Sequence, residues 1–185
     1  MTVRWAFTMI AVLAIAAIPL RVPAQVESTP VPTPQKPNLS SMAFLVGTWS
    51  CSTKSARRPA AYMTTSTYTM DPSGFWIDET SVTNPNSWIP AKLTVYDKLT
   101  YDGDTHRWVD VTYGPNGAYG LAFASGWNGD KISWHDVSFA PTADISAQTN
   151  NTITKVSASK VTFASSFTEA KTGRHVAVTG SCTKQ

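Results

Sequence analysis

From Thr48 to Thr183, hydrophobic and polar positions alternate in short runs, each cut by Gly, Asp, Asn or Pro, and no window in this stretch sustains a helical period. The alternation predicts strands over approximately 48–54, 61–70, 75–82, 91–101, 106–113, 119–125, 131–138, 152–158, 160–168 and 174–183. The connections carry specific turn chemistry: Asp71-Pro72-Ser73-Gly74, Asp102-Gly103-Asp104, Gly114-Pro115-Asn116-Gly117, Asn128-Gly129-Asp130 and Lys171-Thr172-Gly173. Connections this short join antiparallel neighbours. The expected fold class is therefore all-β.

About ten consecutive antiparallel strands leave two edges of unpaired backbone groups, and closing the sheet into a single up-and-down β-barrel removes both. Ahead of the first strand, Ser40 to Val46 reads as a short N-terminal helical plug at the barrel base, ended by Gly47, with Trp49 packed over it. In a closed meander the first and last strands are neighbours, so Cys51 on the first can reach Cys182 on the last. Parity agrees: Trp49 shares a face with Cys51, and Val176 and Val178 share one with Cys182. A Cys51–Cys182 disulfide on the apolar side of the seam is expected.

The N-terminal pattern is different. Arg4, an apolar stretch from Ala6 to Leu20 and the small-residue site Val22-Pro23-Ala24 read as an export signal, with cleavage after Ala24. The stretch is roughly fifteen residues where about twenty are needed to span a bilayer, so no stable membrane anchor is expected after cleavage. Residues 25–38 hold Pro30, Pro32, Pro34 and Pro37 among polar side chains and read as an extended linker. The organisation is thus a signal peptide over 1–24, a Pro-rich linker over 25–38 and one barrel domain over 39–185, in a secreted or periplasmic protein. Two cysteines in an exported chain favour a disulfide over a metal or redox site.

Gly47-Thr48-Trp49, opening the first strand after a short helical turn, resembles the Gly-x-Trp signature of lipocalin-like barrels, the calycin group. The stretches YDGDTHRW (Tyr101 to Trp108) and GWNGDKISW (Gly126 to Trp134) are similar to exported bacterial lipocalin-like domains of unknown function. The resemblance covers most of the mature domain and implies a ligand-binding barrel. Lipocalins place a late Arg against the signature Trp, and Arg174 or Lys184 are the stand-ins here. The related nitrobindins carry a Gly-x-Trp-x-Gly-x-Gly run and a haem-ligating His. Here Cys51 and Thr53 replace the later glycines, so neither haem nor another cofactor is expected.

The chain has seven tryptophans, five of them (Trp76, Trp88, Trp108, Trp127 and Trp134) in its middle, which suggests an aromatic-lined cavity. Trp108, Asp110 and Thr112 share one face of their strand, and Ile132, Trp134 and Asp136 one face of theirs. If these faces point inward, Asp110 and Asp136 are buried carboxylates that anchor a ligand or act as an acid/base pair. If the opposite, valine-bearing faces point inward, both are ordinary solvated acids. Both orientations satisfy the alternation. The candidate ligand-binding residues are Trp76, Trp108, Asp110, Phe123, Trp134 and Asp136.

Other chemistries are disfavoured. Ser133, His135 and Asp136 do not form a triad, because neighbours in a strand point to opposite faces. His106, His135 and His175 lie on separate strands without metal-ligand spacing. Arg57-Arg58 reads as a solvated loop or an anion-attracting rim of the barrel mouth. The formal net charge of +3 falls to +1 when Arg4 and Arg21 leave with the signal, so no nucleic-acid surface is indicated. No oligomeric state follows from the sequence. The leading expectation is an exported barrel for a small hydrophobic or aromatic ligand. The alternatives are a barrel enzyme of isomerase, hydratase or cyclase type using a buried carboxylate, and a packed envelope protein without ligand.

Overall fold

Hydrogen bonding closes the strands into a ring. A computed structural model describes residues 33–58, 60–87, 89–140, 145–169 and 172–185, the side chains of 136–140 and 145–148 excepted. Within these lie a 3-10 helix, Ser40–Leu45, and the strands β1 (Gly47–Ser55), β2 (Tyr62–Met70), β3 (Ile77–Thr83), β4 (Leu93–Asp102), β5 (Arg107–Tyr113), β6 (Tyr119–Ala124), β7 (Trp127–Asn128), β8 (Lys131–Ala140), β9 (Ile145–Ser157), β10 (Lys160–Thr168) and β11 (His175–Lys184). Each pairs antiparallel with its neighbour from β1 to β6 and from β7 to β11; β1 pairs with β11, and β6 with β8. The result is a closed ten-strand antiparallel barrel, with the two-residue β7 hydrogen-bonded only to β8. Residues Gln35–Gln185 form one compact unit. Among the described residues no helix is long and apolar enough to cross a membrane.

The proposed signal and the first part of the linker lie outside the described residues, as does Trp88; residues 33–38 carry no helix or strand. Two departures from the sequence pattern stand out. β9 starts at Ile145, ahead of the polar run Thr149-Asn150-Asn151, because this run pairs with β8 on one side and β10 on the other. Ladder pairing overrides the weak strand preference of Asn. Between Asp102 and β5, the Asp102 side chain accepts from the Asp104 and Thr105 backbone N–H groups, and His106 closes the turn in the left-handed region at φ 53°.

At the seam, Cys51 pairs directly with Cys182 and the two are disulfide-bonded. Two residues along the ladder Trp49 faces Lys184. Trp49 is fully buried and donates its indole N–H to the Leu45 carbonyl at 2.6 Å, tying β1 to the 3-10 helix, whose Met42 and Leu45 join the core. Lys184 crosses the Trp49 ring at 5.5 Å and donates to the Phe44 carbonyl at 2.9 Å. Of the two stand-ins, Lys184 therefore takes the place beside the tryptophan. Gly47 fits this corner for two reasons: its φ is +127°, and a Cβ there would lie 2.7 Å from the Lys184 stem.

The inward side chains follow by register. Ile77, Leu99, Trp108, Ala122, Ala124, Ile132, Trp134 and Val161 join Trp49 and the disulfide in one core cluster. The tryptophan-bearing faces of β5 and β8 therefore point inward, with Trp108 and Trp134 each 3% exposed.

Candidate functional site

The same register lays a row of polar side chains along the barrel interior. Proceeding from β2 to β5, the cross-strand pairs are Tyr68 with Glu79, Glu79 with Asp97, and Asp97 with Thr112, while Asp110 stands opposite Leu99. An interior cavity of about 260 Å³ opens beside them. Its acidic side is Glu79, Asp97 and Asp110, from three adjacent strands. Facing these across the barrel are Trp134 of β8, Asn151 of β9 and Ser165 of β10. Leu99, Ala122 and Trp134 belong both to this lining and to the hydrophobic core, so the cavity rests on the core.

Three carboxyl groups in one interior have to share limited solvation. Glu79 is held by hydroxyls: Ser81 Oγ donates to its Oε1 at 2.6 Å, and Ser66 Oγ donates in turn to Ser81 Oγ at 2.7 Å. Ser66 is buried, so this chain satisfies polar groups that water does not reach. Tyr68 also hydrogen-bonds Glu79. Burial, then the Glu79 charge and this bond, push its phenol well above the usual value, and it stays a proton donor. Asp97 differs. Burial, reinforced by the Glu79 charge, raises its carboxyl to about 7, and the hydrogen bond it accepts from Thr112 Oγ1 offsets only part of this. Asp97 therefore changes charge near neutrality.

Across the cavity, Trp134 Nε1 and Asn151 Oδ1 are buried and have no hydrogen-bond partner among the described residues. The two residues stand opposite each other in the β8–β9 register. Among the described residues no group of three His, Cys, Asp or Glu side chains is placed to hold a metal ion.

Of the residues singled out from sequence, Asp110 and Trp134 line the cavity. Trp108 is buried in the core, edge-on to Tyr101 at 5.6 Å and opposite Ala124. Trp76 is half-buried in the β2–β3 connection, where its carbonyl accepts from the Asp71 N–H at 3.0 Å. Phe123 alternates with the inward Ala122 and Ala124; it lies under the Arg107 guanidinium at 3.9 Å and lines a separate concavity with Lys131, Ser133 and His135. The backbone of Asp136 pairs with Ala122, but its side chain lies outside those described. His135 is exposed and shares a 2.7 Å hydrogen bond with Asn150. Arg57 is ion-paired with Glu169 at 2.7 Å.

Glu79, Asp97, Tyr68 and Asn151 were not singled out from sequence. The signal was an acid on an apolar face: Ile77-x-Glu79 and Val95-x-Asp97-x-Leu99 have the same form as Trp108-x-Asp110.

No family model matches the chain, and no curated protein matches it. Among solved structures, the crystal structure of Rv2717c from M. tuberculosis overlays with a TM-score of 0.61 at 10% identity, covering 80% of this chain and 96% of that one. EF1p2_mFAP2b bound to DFHBI overlays with a TM-score of 0.40 at 12% identity, covering 78% of this chain and 97% of that one. The likeness to Rv2717c concerns the fold.

Proposed function

We propose that this chain is an exported, lipocalin-like protein that holds a small ligand inside its barrel. The observation that carries this reading is the interior cavity of about 260 Å³, with Leu99, Ala122 and Trp134 as its apolar lining and Glu79, Asp97 and Asp110 as its polar one. A dry apolar cavity of about 150 Å³ already accepts benzene, so there is room for a one-ring molecule with polar substituents. The ligand's apolar part rests on Trp134, Leu99 and Ala122, and Asp110, Glu79 and Asp97 orient its polar part. The sequence reading favoured a hydrophobic or aromatic ligand; the polar lining restricts this to a molecule with a strongly polar end.

The lipocalin-like assignment is supported by the Gly47-Thr48-Trp49 corner with Lys184 laid against Trp49. In this reading the 3-10 helix closes the barrel base. The disulfide is consistent with export through the N-terminal signal.

Native mass spectrometry of protein isolated from its own host tests the proposal. A retained small molecule, lost when Ala122→Phe fills the cavity, is the expected result. Repeated absence of any bound mass, with Ala122→Phe tolerated or stabilising, would favour a packed barrel. A second reading, acid–base catalysis, draws on one observation, the Asp97 carboxyl that titrates near neutrality. Turnover of the retained molecule, abolished by Asp97→Asn, would favour it.

A further inference from the structure

The outer wall of the barrel carries a second hollow, of about 530 Å³, whose charge is the reverse of the interior's. The β6–β8 ladder ends at the pair Phe123–His135, and β7 pairs with β8 only at Ile132 and Lys131. Between the two ladders Ser125 and Gly126 belong to no strand, with Gly126 at φ +119°, and the wall opens beside Ala124. Lys131, Ser133 and His135 form the other side, alternating along β8 with the inward Ile132 and Trp134. Among the described residues lining the hollow there is no Asp or Glu.

Arg107 is held ready at one end. Its guanidinium lies over the Phe123 ring at 3.9 Å, and Phe123 stands directly opposite His135, a spacing of about 5 Å between Cβ atoms. Stacking fixes the guanidinium plane and leaves its edge N–H groups for a partner lying in that plane. Arg107 Nε is buried, so an anion meets the two Nη groups. Among the described residues no ion pair neutralises Arg107 or Lys131. Asp102, opposite Arg107 in the β4–β5 register, accepts instead from the Asp104 and Thr105 backbone N–H groups. Lys131 is exposed at the far rim and adds positive potential that draws anions toward the hollow.

We propose that this hollow is a second binding site, for a small organic oxyanion: a carboxylate or phosphate on a compact apolar body, its head on the Arg107 guanidinium and its body on Phe123 and Ala124.

Both head groups offer two oxygens on one centre, which the guanidinium fork receives together and which a neutral alcohol lacks. The interior cavity does not compete for such a ligand, because Glu79, Asp97 and Asp110 repel an anion. The site therefore stands apart from the interior ligand proposed above.

Nitrogen-15 NMR titration of the disulfide-bonded protein with benzoate, phenyl phosphate, inorganic phosphate and benzyl alcohol tests the site. Both aromatic anions should shift the backbone amides of Phe123, Ser125, Gly126 and Ser133 along saturating curves, and the tighter of the two identifies the head group. Benzyl alcohol and inorganic phosphate should bind more weakly by about tenfold or more. Arg107→Gln should weaken the tighter anion by about tenfold and Lys131→Gln, at an exposed position that leaves the fold intact, by about threefold. Lys160→Gln, on β10 outside the hollow, should change nothing. Benzyl alcohol matching the anions overturns the oxyanion assignment, and inorganic phosphate matching phenyl phosphate overturns the apolar contact. Equal weakening by Lys160→Gln and Lys131→Gln reduces the effect to general charge attraction and overturns the site. So does the absence of saturating shifts at these amides with millimolar probe.

Discussion

Asp97 stands directly opposite Glu79 in the β3–β4 register, on the face that lines the barrel interior. Two acids placed directly across an antiparallel pair destabilise a sheet even when exposed. Here burial adds to the repulsion. Glu79 has hydroxyl donors from Ser81 and Tyr68, so the conflict is relieved at Asp97, which keeps its proton to about pH 7. A barrel serving only as a packed body would gain by an apolar residue at this position.

Stability should depend on pH with a defined sign. The folded Asp97 titrates at about 7, the unfolded one near about 4, so between these values the folded state binds more protons. Stability therefore falls as pH rises across this window, by on the order of 1 kcal/mol per pH unit from this group. Asp97→Asn should flatten the slope and be more stable than the parent above about pH 7, measured by denaturant titration at a series of pH values. A variant with an unchanged slope would assign the effect to other groups.

The Cys51–Cys182 bond joins residues 131 positions apart and closes the first strand onto the last. Its loss should cost about 2–5 kcal/mol and lower the melting temperature by on the order of 5–15 °C. Thermal unfolding with and without reductant measures this, and an unchanged midpoint after verified reduction would contradict it.

Gly180 lies opposite Phe163 on β10, and the Phe163 ring covers it: a Cβ there would sit 2.2 Å from the ring and 2.5 Å from the Ser52 carbonyl oxygen. Gly180→Ala should destabilise by about 1–3 kcal/mol. Phe163→Leu should restore part of this in a double-mutant cycle, since the Ser52 contact involves backbone and persists. Full additivity of the two substitutions would show that the ring does not rest on the glycine.

The barrel was legible because its determinants are local. Alternation places the strands, Gly and Asp mark the turns, and the parity of Trp49, Cys51, Val178 and Cys182 anticipates the seam. The cavity was only half legible. Asp110 and Trp134 stood out because each sits beside or is itself a tryptophan on a strand face, whereas Glu79 and Asp97 look like surface acids until register places both indoors. Phe123 shows the converse: an aromatic in an apolar strand, Gly120-Leu121-Ala122-Phe123-Ala124, where the small alanines and not the large side chain face the interior. Composition does not reveal that a barrel interior beside a cavity is lined by small residues; only ring closure does.

Carbon-13 NMR titration of the side-chain carboxyl of Asp97 tests the acidic barrel interior most directly. The predicted midpoint is about 7, moving toward the ordinary carboxyl range when Glu79→Gln removes the opposing charge. A midpoint near about 4 in the parent protein, insensitive to Glu79→Gln, would mean that water reaches Asp97 freely, and would contradict the account.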